Sequence, residues 1–139
     1  MSRKIAREIA MRLIYQKELA FEYSMEALED MIDKFRLSKN GTCYVEEIIY
    51  GVEKKVAEID KHIKENVRDW RFDRISKIDL AILRLAIYEI IWADDIPYKV
   101  SINEAVELAK LYGSEKSSSF VNGILGGVVR SLGLEDDGV

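Results

Sequence analysis

Apolar residues recur along most of the chain at the three- and four-residue spacing of an amphipathic α-helix. The first stripe follows a possible cap at Ser2 and consists of Ile5, Ala6, Ile9, Ala10, Leu13 and Ile14. A second stripe follows Ser24 and consists of Met25, Leu28, Ile32 and Phe35. Residues 38–41, Ser-Lys-Asn-Gly, predict a turn, after which Thr42 is expected to open a long helix. Its stripe has the spacing of a bundle seam and consists of Val45, Ile49, Val52, Val56, Ile59 and Ile63.

A fourth helix is predicted to be the centre of the fold. Ser76 and Asp79 have the spacing of a helix start, at which the serine hydroxyl accepts from a first-turn amide. Residues 78–92 are then apolar on nearly every side, interrupted mainly by Asp79, Arg84 and Glu89. A helix that is apolar all round is a buried one, so we expect the other helices to pack around this segment.

The last third of the chain predicts two more helices. Residues 94–97, Asp-Asp-Ile-Pro, should end the fourth helix, and the capping-box pattern of residues 101–104 should begin the next. Gly113 is predicted to end that helix in the left-handed backbone conformation. A final helix is predicted from about Ser117 to Leu132, with its inward positions at Val121, Ile124, Leu125, Val128 and Leu132. Within it, close helix packing explains two glycines, Gly123 and Gly127.

The whole pattern predicts an all-α fold of about six or seven helices and no convincing strand. One proline and eight glycines among 139 residues agree with long helices. Residues 1–67 and 68–134 are expected to form two small three-helix bundles that share the buried fourth helix. We therefore predict a single domain over residues 1–134, followed by a frayed acidic tail at residues 135–139.

Charge is distributed unevenly along a chain whose net charge is −4. Residues 1–17 contain five cations and one anion, whereas residues 18–34 contain six anions and one cation. A basic end on an acidic body suggests a local contact with an anionic partner, although charged helix faces are often only solvated. No signal-peptide core or membrane-length apolar run is present in the sequence, so a cytoplasmic location is expected.

Residues that commonly carry catalysis are scarce. The single cysteine, Cys43, excludes an internal disulfide and a cysteine-clustered zinc site. The single histidine, His62, has no nucleophile beside it in sequence and is interpreted as an exposed bystander. Residues 113–117 resemble the tail of a phosphate-binding loop, but no strand precedes them. The sequence predicts no enzyme, no metal site and no cofactor.

Several segments resemble one known family. Residues 79–93, DLAILRLAIYEIIWA, are similar to the buried helix of the NusB family. Residues 96–125 are similar to it more specifically, through INEAVELAK followed by FVNGIL, and residues 3–8, RKIARE, match its arginine-rich start. The resemblance covers nearly the whole chain and is weakest over residues 20–42.

The resemblance implies an RNA-binding adapter. The family binds single-stranded boxA RNA together with ribosomal protein NusE, in antitermination of ribosomal RNA transcription by RNA polymerase. The positions that match its RNA surface are Arg3, Lys4, Arg7, Lys116 and Phe120. The positions that match its NusE-facing side are Tyr15, Asp73 and Asp79. Two of these have alternatives, because Phe120 also suits a core position and Asp79 also suits a helix-start charge paired with a local arginine.

The chain departs from the family pattern in places, and other functions stay open. Ile5 stands where the family often has a third basic residue, Lys116 where an acidic one is possible, and residues 126–127, Gly-Gly, where an acidic-basic pair is commoner. One alternative is a helical protein–protein adapter without RNA binding. Another is a detached NusB-like domain of an RNA cytosine methyltransferase. A homodimer is a further possibility for an adapter of this size.

Overall fold

A computed structural model describes residues 3–20 and 25–134, all of whose regular structure is helical. The helices are α1 (Arg3–Ala20), α2 (Met25–Phe35), α3 (Lys39–Lys64), α4 (Asp69–Phe72), α5 (Lys77–Trp92), α6 (Tyr98–Tyr112) and α7 (Ser117–Ser131). The prediction of an all-α fold is thereby confirmed. The predicted caps at Ser2 and Ser24 and the predicted tail at residues 135–139 lie outside the described residues. The single-domain boundary at residue 134 stays a prediction.

Helix α5 is the element that both halves of the molecule share. It packs against α1 and α3 on one side and against α6 and α7 on the other, and α6 and α7 also pack together. Seven of its side chains from the middle of the helix are nearly inaccessible: Leu80, Ala81, Ile82, Leu83, Leu85, Ala86 and Ile87. Burying an apolar helix on every side removes a large apolar area from water, so α5 supplies the centre of the core. The prediction for this helix is confirmed.

The start of α5 was predicted correctly, whereas the predicted start of α3 is wrong. The Ser76 hydroxyl accepts a hydrogen bond from the Asp79 amide at 3.2 Å, as predicted. The long helix α3, however, begins at Lys39 rather than Thr42. Ser38 lies just before it, and its hydroxyl accepts from the Gly41 amide at 3.0 Å. Because this cap satisfies a first-turn amide, the predicted turn residues belong to the first turn of the helix.

The predicted capping box at residues 101–104 is also wrong. Helix α6 begins at Tyr98, directly after Pro97, which has no N–H group and needs no partner at a helix start. Ser101 therefore lies inside the helix, where it is buried. Gly113 has φ −92°, which is not left-handed; its small size is required because a Cβ there would overlap the Ser117 side chain.

The two glycines of α7 differ in their surroundings. A Cβ on Gly127 would overlap the Asn66 side chain, so this glycine does mark a close approach between α7 and the end of α3. A Cβ on Gly123 would meet no described atom within 4 Å. The predicted close packing holds for Gly127 and is wrong for Gly123.

Candidate nucleic-acid interface

Arg7 and Glu89 form an ion pair in the interior. Arg7 is 3 % exposed and Glu89 is 0 % exposed. The Arg7 Nε donates to Glu89 Oε2 at 2.8 Å, and Nη2 donates to Oε1 at 3.2 Å. Arg7 precedes Ala10 by three residues and Ile14 by seven, so it shares the buried face of α1 with them. A carboxylate inside an apolar helix requires such a cation.

Further groups complete the surroundings of Glu89. The Tyr44 hydroxyl of α3 donates to Glu89, and the Ser101 hydroxyl of α6 donates to it at 2.8 Å. Burial alone would lower the pKa of Arg7, but the hydrogen bond and charge of Glu89 outweigh it and raise the pKa. Burial, reinforced by the Glu89 charge, raises the pKa of Tyr44, so the phenol remains a donor. This polar network joins α1, α3, α5 and α6 at one point.

The network positions two cations at the surface of α1. Arg3 is exposed, and its guanidinium carbon lies 4.5 Å from the centroid of the Tyr44 ring. The Lys4 side chain is 67 % exposed and its ammonium lies 3.5 Å from Glu104, which also lies 3.5 Å from Arg7. Of the three predicted basic residues of α1, Arg3 and Lys4 therefore face solvent, whereas Arg7 anchors the helix.

A second group of predicted residues meets at a groove between the start of α5 and the start of α7. This Phe120 groove has a volume of about 420 Å³ and is lined by Arg71, Arg74, Asp79, Lys116 and Phe120 among others. Phe120 is half-buried against the core, and the Arg71 guanidinium carbon lies 5.2 Å from its ring centroid. Lys116 is exposed. The groove thus combines cations with a half-buried aromatic ring.

The sequence interpretation missed Arg71 and Arg74. Both are exposed, and they follow Arg68 at intervals of three residues in the charged connection that contains α4. Such spacing places cations on one side of a helical turn. That periodicity was the available signal, although a short connection gave no reason to expect a helix there.

The predicted partner-binding residues occupy three different environments. Asp79 is 8 % exposed, and its Oδ1 has no hydrogen-bond partner among the described residues. Asp73 is exposed at the C-terminal end of α4. Tyr15 is half-buried against the core. Tyr15 and Asp73, both within the described ranges, lie outside the Phe120 groove that Asp79 lines.

Helix α6 connects the basic start of α1 with the Phe120 groove. Glu104, near the middle of the helix, contacts Lys4 and Arg7. At the C-terminal end of the helix the Tyr112 hydroxyl donates to Glu8, and Tyr112 lines the Phe120 groove. Burial, together with the Glu8 hydrogen bond, raises the pKa of Tyr112. Helix α6 therefore contacts the basic start of α1 and also lines the Phe120 groove.

Other candidate chemistry is limited within the described ranges. No group of three or more histidine, cysteine, aspartate and glutamate side chains there is placed to hold a metal ion. None of the helices described combines the length and apolar character needed to cross a bilayer. His62 is half-buried rather than exposed, with Nδ1 at 3.9 Å from Glu65. Cys43 is exposed on α3, beside Arg3 and Tyr44.

The architecture defines a class of small all-α proteins in which two helical groups share one buried central helix. Within that class, the model of the NusB family matches residues 4–130. This match spans most of the sequence, and the chain belongs to the NusB family.

Individual relatives agree with this assignment. The transcription antitermination protein NusB of Acetivibrio thermocellus is 49 % identical over 138 residues, covering 99 % of this chain and 95 % of the relative. The protein of that name from Clostridium botulinum strain Loch Maree is 45 % identical, covering 93 % and 100 %. A T. maritima NusB structure superposes with a TM-score of 0.86 at 33 % identity, covering 94 % and 92 %. A complex of NusB and NusE with double-stranded RNA contains a chain with a TM-score of 0.82 at 25 % identity, covering 93 % and 96 %.

Proposed function

We propose that this protein is a transcription antitermination factor that binds single-stranded boxA RNA jointly with ribosomal protein NusE during ribosomal RNA transcription. The observation that carries the proposal is that one helix, α6, contacts Lys4 through Glu104 and lines the Phe120 groove through Tyr112. Family membership supports it, as does the structural relative solved with NusE and RNA. The protein acts by binding, in the cytoplasm and within the antitermination complex of RNA polymerase.

The RNA contacts divide between phosphates and bases. Arg3 and Lys4 are exposed cations that pair with phosphates, and Lys116 does so at the Phe120 groove. Phe120 is half-buried and offers an aromatic ring on which an unpaired base stacks. Helix α7 has no side-chain cap at Lys116, so its first-turn amides and positive helix end favour a phosphate. Arg7 acts indirectly, because its ion pair with Glu89 fixes the helix that carries Arg3 and Lys4.

NusE is proposed to bind at Tyr15, Asp73 and Asp79. Ribosomal proteins are rich in cations, and carboxylates at an interface attract such partners and set their orientation. Asp73 is exposed, and the Oδ1 of Asp79 has no hydrogen-bond partner among the described residues and would accept from a partner's donor. Tyr15, half-buried on α1, adds an aromatic surface with a polar tip.

Fluorescence anisotropy with boxA RNA and a scrambled RNA, with and without NusE across a salt series, tests the proposal. We expect tighter and sequence-selective binding when NusE is present. Replacing Arg3 and Lys4 by glutamine should lower the magnitude of the salt slope by about 1.4, because each phosphate neutralised on a single strand contributes about 0.7. The matched control replaces Lys54 and Lys61, two exposed cations of α3, by glutamine, and it should change the salt slope of RNA binding little. Absence of RNA binding at low salt with NusE present would favour the protein-only adapter instead.

A further inference from the structure

We propose that a groove between α4 and α7 carries the single-stranded RNA onward from the Phe120 groove. The α4–α7 groove has a volume of about 590 Å³ and is lined by Val67, Arg68, Arg71, Ser119, Phe120 and Gly123 among others. The inference rests on the proposed RNA-binding function and extends it to a surface that the resemblance does not include. The proposed ligand of the α4–α7 groove is the sugar-phosphate backbone of the RNA that flanks the boxA element.

The first observation is continuity between the two grooves. Arg71 and Phe120 line both of them, and the Arg71 guanidinium carbon lies 5.2 Å from the Phe120 ring centroid. A strand whose base stacks on Phe120 therefore meets Arg71 next and leaves the Phe120 groove through the α4–α7 groove. Stacked aromatics next to cations are the arrangement by which proteins follow a single strand over several nucleotides.

The second observation is the charge of the α4–α7 groove. Its lining contains two arginines and no carboxylate among the residues that the structure describes. Arg68 and Arg71 are both exposed. A concave surface with one sign of charge concentrates the opposite charge. The chain as a whole is acidic, so this positive charge is local to the groove. It favours a polyanion as the ligand of the groove over an ordinary protein surface.

The third observation is the open space above Gly123. This residue is exposed inside α7, and a Cβ at its position would meet no described atom within 4 Å. Glycine is a weaker helix former than alanine, yet packing among the described residues does not require it here. A glycine on the wall of the α4–α7 groove leaves room for a backbone to approach closely.

Protection of cysteine thiols from alkylation, measured with NusE and boxA RNA that retains its flanking nucleotides, tests the two sites separately. Cys43 is the only cysteine of the chain, is exposed and lies beside Arg3, so it reports on the proposed contact at α1. In a Cys43→Ser background, Ser119→Cys reports on the α4–α7 groove, and Lys54→Cys on α3 is the control. We expect RNA to slow alkylation several-fold at Cys43 and in Ser119→Cys, and to leave Lys54→Cys unchanged.

Two sets of variants sharpen this test. Arg68→Gln combined with Arg71→Gln should remove the protection in Ser119→Cys, retain it at Cys43, and lower the salt slope by about 1.4. Gly123→Glu should weaken RNA binding several-fold relative to Gly123→Gln, because the two side chains differ in charge and not in size. Protection of Cys43 without protection in Ser119→Cys would overturn the inference and leave the proposed function standing. Protection of Ser119→Cys by NusE alone would assign the groove to a protein contact, and absence of RNA binding altogether would overturn both proposals.

Discussion

The carboxylate of Glu89 receives two hydrogen bonds from the guanidinium of Arg7, which stands 82 residues earlier in the chain. This contact distinguishes Arg7 from Arg3 and Lys4, the other two basic residues at the start of α1. Two of the three cations face solvent, whereas the third holds α1 against α5. The basic start of the chain is therefore a surface that depends on a buried anchor, and the two roles can be separated by mutation.

Arg7→Met should destabilise the fold by about 3–5 kcal/mol, because it leaves the buried Glu89 carboxylate without its cation. The free energy of unfolding in urea measures this loss. Arg3→Gln should change the same quantity by less than about 1 kcal/mol, since Arg3 is exposed. Combining Arg7→Met with Glu89→Gln should restore part of the stability by removing the uncompensated charge. An Arg7→Met protein as stable as the parent would show that the ion pair does not anchor α1.

Ser101→Ala should lower the free energy of unfolding by about 1.5–3 kcal/mol, because Ser101 donates a hydrogen bond to the buried carboxylate of Glu89. A lost helix cap would give a cost of about 1 kcal/mol, so magnitude alone separates the two explanations poorly. A double-mutant cycle with Glu89→Gln separates them, because a direct contact gives a coupling energy of at least about 0.5 kcal/mol. Additive effects in that cycle would argue for a local role of Ser101 in the helix.

Ser76 and Ser101 illustrate how far local sequence predicts this fold. Each is followed three residues later by an acidic residue, and the pattern correctly places the start of α5 but misplaces that of α6. The difference lies outside the motif. Pro97 starts α6 a turn earlier, and Glu89 offers Ser101 a buried partner on another helix. Apolar periodicity predicted the buried faces of α1 and α3 well, because burial of a stripe depends on spacing alone.

The candidate site was predictable to a smaller extent. The resemblance supplied Lys116 and Phe120, which the structure brings together with Asp79 at one groove. It did not supply Arg71, which contacts Phe120 from α4. Contacts between distant segments depend on how the helices pack, and no periodicity within one segment encodes them. The buried state of Arg7 escaped prediction for the same reason, since its partner lies on α5.

Gly51→Ala and Gly123→Ala form a matched pair in which the helix propensity gained is the same. Both glycines lie inside helices, but a Cβ on Gly51 would overlap the Tyr88 ring, whereas one on Gly123 would meet nothing within 4 Å. Overpacking a rigid ring costs about 1–3 kcal/mol, so Gly51→Ala should lower the free energy of unfolding. Gly123→Ala should raise it by as much as about 1 kcal/mol. Thermal or urea unfolding measures both, and equal effects at the two positions would contradict the packing around Gly51.

Arg84 on α5 connects Glu18 of α1 with Asp60 of α3, and this cluster should contribute to the acid sensitivity of the fold. Arg84 Nη1 lies 2.7 Å from Glu18, while Nε and Nη2 donate to Asp60 at 3.0 and 2.9 Å. Burial alone would raise the pKa of Glu18, but the hydrogen bond and charge of Arg84, with help from Lys77, outweigh it and lower the pKa. A carboxyl group whose pKa is lower in the folded state stabilises the fold above its unfolded pKa, about 4.3 for glutamate.

That stabilisation disappears as the pH falls through the lowered pKa of the folded protein, because the carboxyl group is then protonated in both states and its ionised form no longer favours folding. Glu18→Gln should therefore be less stable than the parent near neutral pH, and the gap should narrow as the pH falls below about 4.3. Urea unfolding at a series of pH values measures the gap. Glu58→Gln, which removes an exposed carboxylate on α3, is the control and should keep a small gap throughout. A gap for Glu18→Gln that stays constant across this range would mean that its ionisation is not coupled to folding, and that the contact with Arg84 adds only packing.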